Sequence, residues 1–522
     1  MNDKLAATPP EAGGALAGAA GAAPAAAVEL DDVAGAPRGE VALFVRRAGD
    51  LVRGPAVTCG PATTSADAAR LMTREGIGSV IVVGADGEAL GIVTDRDLRR
   101  RVVARDLAPS TPVATIMSSP VAGIDRGRLA FEALLEMTRR SIHHLAVLDG
   151  ERLAGVLSST DIMGLQGAHP VALARDIERQ SSPAGLSALA PRLPAVVRWL
   201  FEAGVGVLPI GQIVAEINDR LVRRAVALAE QEMAGHGAGP PPVSYSWVAL
   251  GSEGRREQTL RTDQDNALVY ADPSGGDEPA VADYFGRLAR QVSATLVDAG
   301  FPVCAGGFMA SNPEWCQPVS AWRGYFDRWM ATPRPAALLN AALFFDWRPV
   351  AGNLAVAQEI WRSVCEQVPG RTVFLRHMAA AAVERRPPIG VFGRLRVERS
   401  GPHRGTIDLK ARGTFPFTHA IRVHALALGM GETNTDARLT GVGARGVLGA
   451  AAVRETREAF EVVCRLRLAR QLECLEAGVP ADNAVDPRRL GRVDRMLLRE
   501  AFVSLGRLQR GLEERFQTAR LA

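Results

Sequence analysis

The feature that most limits how this chain can fold is a repeat. GIVTDRDL at 91–98 returns as GVLSSTDI at 155–162, and the same order of text precedes each copy. A helical pattern comes first (SADAARLMTREG, then RLAFEALLEMTRR). An apolar strand follows (SVIVVG, then HHLAVLDG), then a turn and a second strand that opens on glycine. Self-similarity of this kind marks a duplicated supersecondary unit that buries its apolar face against its copy. Two β-α-β-β-α units are therefore predicted over 49–166. At the end of each second strand a hydroxyl precedes an acid by three residues, Thr94 with Asp97 and Ser158 with Asp161. The hydroxyl of such a pair can cap the next helix, and the acid can accept hydrogen bonds from a ligand's hydroxyls. His143 and His144, adjacent at a strand start, fit core or surface positions better than metal ligation.

At 522 residues the chain is too long for one hydrophobic core. Residues 1–48 are mostly Ala, Gly and Pro, with little to bury, and predict a disordered tail. From 167 to 238 apolar residues recur three and four apart, as in IVAEINDRLVRRAVALAEQEM, and predict a helical connector. It serves either as a spacer or as a transmitter of an effector signal. A mixed α/β core over 239–370 and a helical domain over 371–522 complete an α/β multidomain fold. The 61 basic and 57 acidic residues leave a net charge of only +4, too small an excess to imply nucleic acid. Six cysteines without a C-x-x-C pair fit a reducing compartment, and no apolar run of about 18 residues is present. A cytoplasmic protein that does not cross membranes is expected.

After a proline-rich break, YSWVALGSEGRREQTLRTDQDNALVY reads as strand, glycine turn, short helix or loop, and a second strand from about residue 265. The Gly251–Ser252 turn lets backbone N–H groups approach anionic oxygens. Asp263 and Asp265 stand two apart where the apolar strand begins, so both carboxylates can share a face. Mg²⁺ or Mn²⁺ takes such hard oxygen ligands and keeps positions open for phosphate and water. Asp346, in ALFFDWRPVAG, is the candidate third carboxylate of a two-metal site, at the end of a strand read over 340–348. Alternatively it is a structural acid paired with Arg348. An isolated D-x-D is more often a turn; the ordered combination is what points to phosphoryl chemistry.

The pattern G-S-x-G-R-x-E followed by D-x-D resembles the DNA-polymerase-β-like nucleotidyltransferase superfamily. The longer GSEGRREQTLRTDQDNAL is similar to the amino-terminal region of protein-PII uridylyltransferases. It is closer still to the bacterial nucleotidyltransferase family in which CBS modules precede this domain, and the likeness runs from about residue 50 to 515. The resemblance implies a tandem CBS pair, a polymerase-β-like α/β core and a helical substrate-binding domain. It makes Gly251 and Ser252 the triphosphate-binding turn, Asp263 and Asp265 the metal ligands, and Asp346 the third carboxylate. Arg255 and Glu257 match its R-x-E, with Arg255 either a phosphate contact or a salt-bridged strut. In the CBS copies, Thr94, Asp97, Ser158 and Asp161 become contacts to an adenine nucleotide. GPHRGTIDLKARGTFPF at 401–417 resembles the family's substrate-binding region; there Lys410, with Lys4 the only lysines of the chain, is either a phosphate-binding ammonium or a chance retention. No His-Asp dipeptide occurs, so the uridylyltransferases' hydrolase domain has no visible counterpart.

The expected activity is two-metal transfer of a nucleoside monophosphate from a nucleoside triphosphate to an acceptor. That acceptor is a protein, such as a PII-like regulator, or a small molecule, with AMP, ADP or ATP at the CBS pair as regulator. A homodimer through the CBS pairs is expected. A different class of reading is a non-catalytic adenine-nucleotide sensor built on a retired transferase fold. RNA nucleotide addition is the third, against which stands the lack of a strongly basic helical domain or an R-R-D motif.

Overall fold

The computed structural model describes residues 46–52, 54–163, 170–260, 263–390 and 393–521, so nearly all of the expected tail lies outside the described residues. Each repeat forms a three-stranded sheet. In the first, β1 (Thr58–Cys59) pairs in parallel with β2 (Ser79–Val83), which pairs antiparallel with β3 (Ala89–Thr94). In the second, β4 (Gly123–Asp125), β5 (His144–Asp149) and β6 (Arg152–Ser158) repeat that order and polarity. The intervening helices, Ser65–Glu75 and Ala130–Arg140, bury one stripe each, Ala68 and Met72 in the first and Ala133, Leu134 and Met137 in the second. They end in the same way, on a residue in the left-handed region (Gly76, Ser141) whose N–H returns to the last turn.

Four helices follow, Pro170–Glu178, Pro183–Leu189, Arg192–Glu202 and Val207–Gly235. The last is apolar along most of its length and yet buries Glu216, Asn218, Asp219 and Arg220 near its middle. Buried charges in a helix interior persist when partnered, and their partners prove to lie on two different domains.

The four-stranded sheet has the order β10-β7-β8-β9, from β7 (Tyr245–Ala249), β8 (Asn266–Tyr270), β9 (Cys316–Pro318) and β10 (Arg348–Gly352). The two central strands are buried on both faces, which is why they read as unbroken apolar text. Trp247, Ala249, Leu268 and Tyr270 face the connector helices and the Glu278–Asp298 helix. Val248, Leu250, Ala267 and Val269 face a cluster built on Trp315, Trp322, Phe344 and Trp347. The segment read as a strand over 340–348 is instead a helix, Pro335–Phe344, with β10 starting only at Arg348. A short all-apolar run carries no period to separate the two, and Pro335 at the first helical position favours the helix.

Beyond 370 the chain is mostly helical, closing with Ala450–Glu476 packed along Arg492–Phe516. The glycine-bearing passage near 400 contributes one small ladder, β11 (Ile407–Asp408) with β12 (Ala484–Val485), which the sequence did not signal. Among the described residues no helix is long and apolar enough to cross a membrane.

Candidate active site

The G-S-x-G-R-x-E segment leaves the end of β7, makes one short helix (Gly251–Gly254) and returns to β8. Gly251 has φ +52, and a side chain there would stand 3.1 Å from the Asp265 carboxylate. Gly254 is required for a different reason: a Cβ would lie 1.9 Å from the Asp346 carbonyl oxygen. The first glycine thus permits the turn and the second a backbone-to-backbone approach.

The turn lies against Asp265. The Leu250 N–H donates to the Asp265 carbonyl (2.9 Å), extending the β7–β8 ladder past its last paired residues. Asp263 is exposed and Asp265 half-buried. Burial pushes Asp265 up to about 6, against the Cys304 thiol bonded to it and the charge of Lys410, while Asp263 adds to the rise. The chain's second lysine therefore comes within electrostatic reach of the carboxylate pair. It sits on a π-type turn, Lys410–Thr414, a geometry frequent at functional sites.

Asp346 departs from its expected role. It is 0% exposed, and both its oxygens are taken by guanidinium groups. Arg255 donates to Oδ2 at 2.6 Å, Arg438 to Oδ1 at 2.7 Å, and Arg422 to Oδ1 at 3.0 Å and also to Oδ2. Burial alone would raise its carboxyl, but Arg422, Arg255 and Arg438 outweigh that and hold it well below the usual carboxylate range. It is therefore not presented to the Asp263–Asp265 pair as a third metal ligand. Nor is it paired with Arg348, whose guanidinium bonds both oxygens of Asp219 at 2.7 and 2.8 Å.

Arg255 is a strut. It bridges Asp346 and Glu257 (2.8 Å), and the motif then grips the carboxy-terminal domain. Thr433 donates to the Gly254 carbonyl (2.8 Å), Asn434 to the Arg255 carbonyl (2.9 Å), and the Thr435 N–H to Glu257 (2.6 Å). Arg422, Arg438, Cys304 and Asp219 escaped the sequence reading.

Glu253, within the motif, is pushed up to about 8, first by burial and then by Asp219 and Asp265, with Arg348 opposing. The folded chain holds this proton to higher pH than the unfolded chain, so stability falls as pH rises from about 4.5 to about 8. The slope reaches at most about 1.4 kcal/mol per pH unit. Urea unfolding across that window is expected to show the decline, and Glu253→Gln to flatten it.

In the CBS half, Thr94 and Asp97 form a reciprocal cap, Thr94 Oγ1 donating to Asp97 at 2.7 Å and the Asp97 N–H returning at 3.2 Å. Ser158 and Asp161 repeat it, with the Asp161 N–H donating to Ser158 at 3.1 Å. Thr94 and Asp97 also line a cleft of about 790 Å³ with Arg96, Arg99, Arg100 and Arg175. His143 and His144 border it as well; burial lowers His144.

Arg220 and Asp219, adjacent on the Val207–Gly235 helix, join the two halves. Arg220 donates to the Thr138 carbonyl (2.6 Å), the Arg139 carbonyl and the Ser141 hydroxyl (2.8 Å), capping the helix of the second repeat. Asp219 holds Arg348, which also donates to the carbonyls of Glu253 (2.9 Å) and Gly254 (3.2 Å).

Sheet, motif and repeats together define a nucleotidyltransferase-type chain with a CBS domain pair. The chain belongs to the CBS-containing DUF294 nucleotidyltransferase family. The family model described as putative nucleotidyltransferase matches 191–336, its substrate binding domain 372–516, and the CBS domain 48–104 and 113–167. An uncharacterized protein of Methanopyrus kandleri is 32% identical over 120 residues, 23% of this chain and 61% of its own. Inosine-5'-monophosphate dehydrogenase of Mycobacterium tuberculosis is 30% identical over 197 residues, 37% of this chain and 35% of its own. The chain thus spans less than two thirds of either curated relative. A solved CBS domain protein from Pyrobaculum aerophilum complexed with AMP is 26% identical, covering 25% of this chain and 98% of its own at a TM-score of 0.22.

Proposed function

We propose that this chain transfers a nucleoside monophosphate from a nucleoside triphosphate to an acceptor hydroxyl on a protein or small molecule. The acceptor hydroxyl gives up its proton to solvent, a bond forms between its oxygen and the α-phosphorus, the bridging bond to the β-phosphate breaks, and pyrophosphate leaves with its electron pair. The observation that carries this reading is the convergence of the Gly251 turn, the half-buried Asp265 and the charge of Lys410. Asp263 and Asp265 fit one Mg²⁺ or Mn²⁺, since such an ion is commonly held by one or two carboxylates with phosphate and water completing its shell. When bound, it would neutralise phosphate charge. Among the described residues no group of three His, Cys, Asp or Glu side chains could hold a metal, and Asp346 is engaged elsewhere. The residues thus suit a one-ion arrangement better than a two-metal one.

The cleft between the repeats is the proposed regulatory site for AMP, ADP or ATP. Thr94 and Asp97 stand where they could exchange their mutual bonds for ribose and phosphate. The paired partners of Asp219 and Arg220 support a transmitting role for the connector. Arg220→Ala is expected to abolish the change in transfer rate caused by added adenine nucleotide while leaving the basal rate within about threefold. Rates measured with and without each nucleotide check this.

A sensor without catalysis is the second reading, favoured by the loss of Asp346 to its arginines. Incubating the protein with Mg²⁺ and each α-labelled nucleoside triphosphate, with and without cell extract, separates the two. Label on an acceptor supports transfer and reveals the base. Adenine-nucleotide binding without any movement of label supports the sensor.

A further inference from the structure

We infer that a guanidinium-rimmed cavity in the carboxy-terminal domain docks an acidic segment of the acceptor protein, a step that rests on the transferase reading. The cavity, about 680 Å³, lies between the passage 393–405 and the start of the Arg492–Phe516 helix. Arg394, Arg488, Arg492, Arg495 and Arg499 line it, and among the described residues no acidic or aromatic one does.

The fold uses only part of this charge: Arg495 donates to the Leu490 carbonyl (2.9 Å) and the Arg488 carbonyl (3.3 Å) ahead of the helix. Arg492, Arg495 and Arg499 occupy one face of the helix's opening turns, where the macrodipole favours acids and opposes bases. Gly491 at the N-cap has no side chain to satisfy the first N–H groups. The acid of that first turn, Asp494, is directed to Arg465 instead. Arg488 is held by the partly buried Asp486 through two bonds (3.0 and 2.9 Å), whereas Arg499 has only the exposed Glu500 at 3.0 Å, a pair of the kind that binds weakly. The side chains of Arg394 and Arg492 have no partner among the described residues. Between these charges lie Leu395, Val397 and Met496, the last 52% exposed.

An acidic protein segment carrying one large apolar side chain complements both parts, its carboxylates meeting the guanidinium forks and its apolar group the floor. Single-stranded nucleic acid fits less well, because the described lining residues offer no ring on which a base could stack. The location suits an acceptor. Gly405, on the cavity wall, precedes Lys410 by five residues, so the two lie within about 18 Å of each other. A segment held in the cavity would bring the chain beside it to the carboxylate pair.

The test uses the full chain without nucleotide and a short fluorescein-labelled peptide of glutamates flanking a leucine, followed by anisotropy. Saturable binding that weakens with salt is expected, together with a loss of at least about tenfold in Arg394→Glu/Arg492→Glu. Asp265→Asn should bind as wild type. Replacing the peptide's leucine by serine should weaken binding. Equal binding by the double variant, or tighter binding of an oligonucleotide of the same charge, would overturn the proposal. Because no triphosphate is present, the two readings fail separately: a chain that transfers label but ignores the peptide refutes docking alone, and one that binds the peptide but transfers nothing refutes transfer alone.

Discussion

Asp346→Ala is expected to lower the stability of the nucleotidyltransferase-type half by about 3–5 kcal/mol, the range for removing one partner of a buried ion pair. The substitution leaves the fully buried Arg422 and Arg438, and Arg255 beside them, without their shared counter-charge. Arg438 would keep only backbone partners, at Phe345 (2.8 Å) and Glu432 (2.7 Å). Arg255 would keep Glu257. Asn offers no rescue, since it supplies one acceptor oxygen for four donated bonds and turns an amide toward guanidinium groups. Urea unfolding followed by tryptophan fluorescence reads the effect directly, because Trp347 adjoins Asp346 and belongs to the buried aromatic cluster. An Asp346→Ala protein as stable as wild type but devoid of transfer would restore the residue to a metal-binding role.

Asp265 makes the opposite case. Its carboxyl is raised to about 6 by burial, so at neutral pH its ionised form costs the fold stability. Asp265→Asn is expected to leave the unfolding midpoint unchanged or slightly higher. One aspartate is held for the structure and the other is maintained at the structure's expense.

The local parts of this architecture were legible in the sequence. The CBS units announced themselves as a repeat with the period of strands and helices, and β7 and β8 as apolar runs bracketing a glycine turn. The Gly251 turn and the D-x-D needed no more than adjacency along the chain, and the structure joins them through the Leu250–Asp265 bond. What could not be read was long-range pairing between like-looking residues. Arg422 and Arg438 reach Asp346 from 76 and 92 residues away, in a chain where arginine is the common basic residue. The same applies to Arg348, which stands two residues from Asp346 in sequence but whose partner is Asp219, 129 residues distant. The helix at Pro335–Phe344 was missed for a local reason, since an unbroken apolar run has no periodicity to declare. Once that strand reading fails, the argument for Asp346 as a strand-end ligand fails with it.

The central claim is that Asp263 and Asp265 carry nucleotidyl transfer. Asp263→Ala/Asp265→Ala, assayed with Mg²⁺, the preferred α-labelled triphosphate and its acceptor, tests it most directly, provided the unfolding midpoint matches wild type. A fall of at least about 10²–10³-fold is expected, the scale on which enzymes lose rate when stabilisation of transition-state charge is removed. Transfer persisting near the wild-type rate in the double variant would contradict it.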